Sequence, residues 1–190
     1  EFVKESGLIY MSHNLSPYFS EGMKAASYEI VEVLEDGIEH VVLPVGNGSL
    51  LIGMVRGYQE LKEAGIISNI PKFHGVQAHA VRPVVAALNG EDWSHDDVQP
   101  TNASGIAVSK PPRLAEMVEA IRSTNGSGVT VSEESLIEWQ KRLSSSEGVF
   151  AEMTSAGAFA GLEKLIESGE IERNSNVLVP ITGSGLKEPL

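Results

Sequence analysis

The run Val41-Val42-Leu43-Pro44-Val45 is apolar throughout and leads directly into Gly46-Asn47-Gly48-Ser49. A strand alternating apolar and polar residues can leave one face in water, but an unbroken apolar strand must be covered on both. Behind the glycine turn a helical pattern runs from about residue 50 to 64 and stops at Gly65, and Lys72-Phe73-His74-Gly75-Val76-Gln77 reads as the next strand. Strand, glycine turn, helix and strand form the repeating unit of a parallel sheet.

The alternation continues along the chain. Gly7-Leu8-Ile9-Tyr10-Met11 reads as a strand. Ser20 reads as the N-cap of a helix with its apolar face at Met23, Ala26, Ile30, Val31 and Leu34, stopped by Gly37. After Gln77 come a short helix near 82–88, a polar surface loop over 89–105, a helix opened by Pro112 and ending near Ser123, and the strand Val129-Thr130-Val131. Ser132 caps a helix to about Leu143. Val149-Phe150-Ala151, a helix over 155–167 and the strand Val177-Leu178-Val179-Pro180-Ile181 complete the order. The fold class is therefore α/β, a mostly parallel sheet with helices on both faces.

Composition narrows the function. Hydrophobic residues make up 42% and charged residues 21%, enough for a real core. Twenty-six acidic against fourteen basic residues give −12, a balance that repels nucleic acid and anionic membranes. The absence of cysteine removes disulfides, thiolate catalysis and Cys-based metal sites. Apolar runs fall short of the ~18 residues that suggest a membrane span, so the expectation is a cytoplasmic protein. No metal is predicted: His95 among Glu91, Asp92, Asp96 and Asp97 reads as a solvated loop, and His40 and His74 as satisfied histidines beside strands.

Open parallel sheets bind ligands beyond the carboxyl ends of their strands, and two loops suit that place. Gly46, Asn47, Gly48 and Ser49 lie between a strand and a helix start, where free N–H groups and the helix dipole favour an anion such as phosphate. No Gly-Lys-Ser/Thr follows, and the third glycine of a dinucleotide fingerprint would fall at Leu51. Nucleotides are thereby disfavoured. Thr182-Gly183-Ser184-Gly185 leaves the last strand with a hydroxyl at its tip. On the residues alone, each loop reads equally as a tight turn without a ligand.

Longer stretches carry a resemblance. Pro17-Tyr18-Phe19-Ser20-Glu21-Gly22-Met23-Lys24, Pro44-Val45-Gly46-Asn47-Gly48-Ser49, Gly57-Tyr58-Gln59-Glu60-Leu61, Gly75-Val76-Gln77-Ala78, Glu147-Gly148-Val149-Phe150-Ala151-Glu152 and Thr182-Gly183-Ser184-Gly185-Leu186-Lys187 occur in this order. Together they resemble the carboxyl-terminal half of the threonine synthases, in the fold type II (tryptophan synthase β-like) family of pyridoxal-phosphate enzymes. The resemblance implies pyridoxal 5'-phosphate as cofactor, its phosphate on Gly46, Asn47, Gly48 and Ser49 and its pyridine nitrogen on Thr182. It places His13, Asn14 and Glu152 near an amino-acid substrate, with capping of the following helix as the other reading of Glu152. A hydroxyl is too weak an acid to protonate the pyridine, which leaves a moderate electron sink suited to elimination or replacement.

The family's Schiff-base lysine lies in its amino-terminal half, in a Ser-x-Lys-x-Arg-like segment. Lysines 4, 24, 62, 72, 110, 141, 164 and 187 all lack that context. No catalytic residue is therefore assigned in this chain. Residues 1–190 are expected to be the carboxyl-terminal part of the large cofactor-binding domain, without the lysine-bearing segment and small domain. Such a piece would be inactive alone and part of a homodimer when intact. Phe19 stands where an arginine that meets the substrate phosphate is usual, Leu50 where an asparagine commonly follows the loop, and His79 where a glutamate is usual. The implied reaction converts O-phosphohomoserine to threonine and phosphate. The alternatives are β-elimination or β-replacement on a serine-, threonine- or cysteine-like amino acid, by a dehydratase-like enzyme or a threonine synthase paralogue, and, in another class, a non-catalytic module that binds a small anion.

Overall fold

A computed structural model describes residues 5–9, 12, 15–34 and 37–187 of the chain. Its elements run α1 (Pro17–Gly22), α2 (Lys24–Val33), β1 (His40–Pro44), α3 (Ser49–Glu63), β2 (Lys72–Ala78), α4 (Pro83–Asn89), α5 (Leu114–Ser123), β3 (Gly128–Val131), α6 (Glu133–Glu147), α7 (Met153–Glu167) and β4 (Val177–Leu178). Three short 3-10 turns cover His95–Asp97, Ser104–Ile106 and Gly185–Lys187. The four strands form one sheet in the order β3-β2-β1-β4, and every pairing is parallel.

Alternation along β1 splits the core into two layers. Val41 and Leu43 face a cluster with Leu51, Met54, Val55 and Tyr58 of α3, Phe73 of β2, and Met117 and Ile121 of α5. Val42 faces the opposite cluster, with Val76, Val131, Leu136 of α6, and Ala160 and Leu165 of α7. Val41, Val42 and Leu43 have no exposed surface at all, which is why the strand had to be apolar at every position.

The strand order also fixes where a ligand can enter. From β1 the chain crosses through α3 to β2 on one side, whereas β4 arrives on the other side of β1 after α6 and α7. The order therefore reverses between β1 and β4, and the crevice beyond their carboxyl ends is the topological switch point of the sheet.

Several local expectations change. Residues 7–9 form no strand, and Tyr10 and Met11 lie outside the described residues. Ser20 is not an N-cap: it is buried inside α1, where Arg113 Nη1 donates to its hydroxyl, and the helix begins one turn earlier after Ser16. A break at Met23 separates α1 from α2, and α2 ends at Val33, before Gly37. The helix after Pro112 begins at Leu114. Between residues 89 and 105 the chain buries Ala103 and starts a 3-10 turn at Ser104, so that stretch is more than a surface loop. The last strand is cut to Val177 and Leu178, because Pro180 has no N–H for a ladder. Residues 149–151 contribute a single bridge, Ala151 to Ser184.

His40 and His74 are satisfied core residues, as expected. The backbone N–H of Ser127 donates to His74 Nδ1 at 3.2 Å, which leaves Nε2–H to donate to His40 Nδ1 at 2.9 Å. Both rings are buried and held below the ordinary histidine range, chiefly by desolvation.

Candidate functional site

At the switch point lies a cleft of about 290 Å³. Its walls include Gly46, Asn47, Gly48 and Ser49 from the β1–α3 turn, Gly105 and Ile106 from a 3-10 turn, Glu152 and Thr154 at the start of α7, and Thr182 beyond β4. Phe19 of α1 closes one side. The first glycine loop thus meets Thr182, which opens the second loop 133 to 136 residues further along the chain.

The β1–α3 turn is shaped for an anion. Gly48 is the N-cap of α3 at φ +81°, a left-handed conformation that glycine alone adopts without cost. A Cβ there would overlap the buried Met117 side chain, and one at Gly46 would come within 2.8 Å of the Gly105 carbonyl oxygen. The backbone is therefore bare where a ligand would approach. The first N–H groups of α3 have no intrahelical acceptors, and the dipole of this fifteen-residue helix adds positive potential. Ser49 Oγ is buried and has no hydrogen-bond partner among the described residues. A buried hydroxyl without a partner costs on the order of 1–3 kcal/mol, and an anion seated on the turn would remove that cost.

The opposite wall is tied down by α7. Ser155 Oγ accepts from the backbone N–H groups of Thr182 at 2.9 Å and Gly183 at 3.2 Å. With both acceptor positions used, its own proton is directed to Thr182 Oγ1 at 2.9 Å. The Thr182 proton is then free to donate to Glu152 Oε1 at 3.2 Å or to a ligand. Glu152 occupies the N-cap position of α7 but makes no side-chain cap bond. Its carboxylate instead pairs with Lys187 and accepts from Thr182, so the capping reading of Glu152 gives way to a place in the cleft.

One more residue sets the depth of the site. Gln77, wholly buried on β2, donates from Nε2 to the Val45 carbonyl at 3.1 Å and accepts at Oε1 from the N–H groups of Val84 and Val85. It fixes the strand end from which the glycine turn departs and caps α4.

The structure brings together Gly46, Asn47, Gly48, Ser49, Glu152 and Thr182 along one cleft. His13 and Asn14 lie outside the described residues. Sequence reasoning missed Ser155, Thr154 and Gly105, which sit in or behind the cleft; only Ser155 had a local signal, three residues after Glu152. Leu50 also lines the cleft, whereas His79 lies elsewhere. His95 bonds Ser109 Oγ through Nδ1 at 2.8 Å. No group of three or more His, Asp or Glu residues among the described ones is placed to hold a metal.

Comparisons with known proteins agree on the family. A family model described as "Pyridoxal-phosphate dependent enzyme" matches residues 1–183. The threonine synthase of Methanocaldococcus jannaschii is 35% identical over 185 residues, covering 96% of this chain and 46% of that protein. The threonine synthase of Mycobacterium tuberculosis is 35% identical over 181 residues, covering 95% and 49%. The chain thus spans about half the length of these curated relatives. Among solved structures, the processed form of threonine deaminase isoform 2 from Solanum lycopersicum superposes with a TM-score of 0.76 at 23% identity, over 96% of this chain and 50% of that one. Serine racemase from Dictyostelium discoideum gives 0.69 at 19%, over 92% and 52%. At these identities the two structures establish the fold alone. No helix among the described residues is long and apolar enough to cross a membrane.

Proposed function

The chain belongs to the pyridoxal-phosphate dependent enzyme family, and from that membership we propose that it is the carboxyl-terminal part of the large cofactor-binding domain of a carbon–oxygen lyase resembling threonine synthase. In this reading the cofactor phosphate rests on Gly46, Asn47, Gly48 and Ser49, and the pyridine nitrogen faces Thr182. The observation that carries it is the meeting of both loops in one cleft, with a Ser49 hydroxyl at the start of α3 that has no hydrogen-bond partner among the described residues.

When bound, pyridoxal phosphate supplies the electron sink for breaking bonds at an amino acid's α and β carbons. The chain's own residues bind and orient. The first turn of α3 and Ser49 Oγ donate to the phosphate, and the buried Gln77 keeps that turn at its height. Ser155 directs its proton to Thr182, so that Thr182 Oγ1 can donate its own. Glu152, anchored by Lys187, holds the loop while the ligand is away. The lysine that bonds the cofactor belongs, in this proposal, to an upstream segment, and the intact protein is a homodimer that turns O-phosphohomoserine into threonine and phosphate.

Phe19 supports a second reading. Among the described residues, the cleft's lining contains no lysine or arginine, and an aromatic ring stands beside the glycine turn. A second phosphate, on the substrate, would find no cation contributed by these residues. Elimination from an unphosphorylated serine- or threonine-like amino acid needs none.

Two measurements test these proposals. Borohydride reduction of the chain with pyridoxal phosphate, followed by peptide mapping, is expected to give scattered, substoichiometric labelling. Stoichiometric labelling of one lysine of this chain would overturn the upstream placement. Assay of the full-length protein on O-phosphohomoserine, serine and threonine then separates the two reactions: turnover of the phosphorylated substrate alone refutes the second reading, and turnover of serine or threonine alone refutes the first.

A further inference from the structure

A second cavity, of about 460 Å³, opens beyond the carboxyl ends of β2 and β3. It shares no lining residue with the cofactor cleft. His79 and Ala80 follow β2, Ser132 follows β3, and Arg82, Trp93, Pro100 and Glu133 supply the rest of its character. This is the edge of the sheet on which α/β proteins place ligands, and the volume falls within the roughly 300–1,000 Å³ of small-molecule sites.

Three of its lining residues carry a buried polar atom without a hydrogen-bond partner among the described residues: Arg82 Nε, Trp93 Nε1 and Glu133 Oε1. One other polar atom of Arg82 and one of Glu133 are engaged. Arg82 Nη1 pairs with Glu91 at 3.5 Å, and Glu133 Oε2 accepts from the Asn102 N–H at 2.8 Å. The Arg82 guanidinium also lies 5.7 Å from the centre of the Trp93 ring, which fixes the two relative to each other. Polar atoms that are buried and unpaired are uncommon in folded proteins, and three on one cavity point to a ligand that completes them.

The set has a definite polarity: two N–H donors and one carboxylate acceptor. A simple anion satisfies the donors but meets the carboxylates of Asp92, Asp97, Glu133 and Glu134 around the same cavity. A simple cation satisfies Glu133 and leaves both donors bare beside the charge of Arg82. A zwitterion satisfies all three, with its carboxylate on Arg82 Nε and Trp93 Nε1 and its ammonium on Glu133 Oε1. Ala80, Pro100 and the Trp93 ring leave an apolar wall for a short side chain. We propose that this cavity binds a free α-amino acid, at a site distinct from the cofactor cleft.

The test uses the full-length protein with cofactor bound and the twenty standard amino acids as probes. Calorimetry reports binding, the part of the Trp emission change that Trp93→Phe abolishes reports the second cavity, and cofactor absorbance reports the cleft. At least one amino acid is expected to bind with quenching and no change in the cofactor spectrum. Its decarboxylated amine and its deaminated acid should each bind roughly tenfold or more weakly, since each loses a charged hydrogen-bond partner. Glu133→Gln keeps the bond from Asn102 and should weaken binding by a similar factor, as should Arg82→Met, with circular dichroism confirming the fold. The proposal is overturned if no amino acid binds outside the cofactor cleft, if both variants bind as the parent does, or if the deaminated acid binds as well as the amino acid.

Discussion

Replacing Gly48 with alanine tests the anion turn at its most constrained atom. Two independent costs arise. The residue sits at φ +81°, where a Cβ carries a penalty of ~1 kcal/mol. The new methyl group would also overlap Met117 Sδ and Cγ, and Met117 has no exposed surface into which to move. Forcing a methyl group into a packed core costs about 1–3 kcal/mol, so the variant should lose roughly 3 kcal/mol in all. Urea unfolding of the cofactor-free protein measures this loss, and fluorescence titration with pyridoxal phosphate measures the displaced N–H groups as an affinity at least about tenfold lower. Met117→Ala separates the two costs. If the overlap dominates, the double variant should be more stable than additivity predicts by about 1–2 kcal/mol. Additive losses would refute the packing argument, and an alanine variant within ~0.5 kcal/mol of the parent would refute both.

Ser155→Ala removes the acceptor of two backbone N–H groups and the proton directed to Thr182; we expect a stability loss of about 1–3 kcal/mol and a shifted cofactor absorption band, and an unchanged band would sink the positioning role. Gln77→Leu orphans the Val45 carbonyl and the N–H groups of Val84 and Val85; urea unfolding should show a loss of roughly 3 kcal/mol or more, and a loss near zero would contradict the anchoring role. Burial, then the charges of His40 and Lys72, lower the His74 pKa from 6.5 to about 4, so the unfolded chain takes up a proton that the native state refuses: stability is full above pH 6.5 and falls by roughly 3 kcal/mol as the pH drops towards 4. Urea unfolding between about pH 7 and about pH 5 checks this, and a flat profile, or an equal slope in His74→Asn, would refute it.

Much of this fold was legible because its signals are local. The apolar run at Val41–Val45 has one explanation, a strand covered on both sides, and Ser132 caps α6 as its position before an apolar-periodic segment implied. The failures share a cause: a residue's local preference was overruled by a distant partner. Ser20 is a good cap by type, but Arg113, far along the chain, draws its hydroxyl inward. Ala103 was grouped with a polar stretch, yet it is buried against β-sheet and helix residues that no nearby sequence reveals. The cleft divides the same way. Gly46, Gly48 and Thr182 stood out through their own loops, whereas Gly105 and Thr154 reach it because one N–H finds one hydroxyl at 3.1 Å across the fold. Arg82, Trp93 and Glu133 follow no motif spacing, so their shared cavity exists only in three dimensions.

The two cavities are separate in lining but not in structure. Gln99 and Pro100 border the second cavity, and Gly105 and Ile106 border the cleft proposed for the cofactor a few residues later. Between them, the Asn102 N–H is held by the Glu133 carboxylate that is proposed to meet the ammonium group. Beyond them, Gly105 N–H is held by Thr154, next to the Ser155 that secures Thr182. A ligand on Glu133 Oε1 therefore acts on a carboxylate whose other oxygen positions the segment leading into the cleft. Such proximity creates coupling only if the segment has arrangements to which the ligand binds unequally. If it does, thermodynamics demands reciprocity: an amino acid that tightens pyridoxal phosphate must itself bind more tightly when the cofactor is present, by the same factor. Measuring both affinities in both orders decides the matter, since equal factors other than one establish coupling and factors of one leave two independent sites on a shared sheet edge.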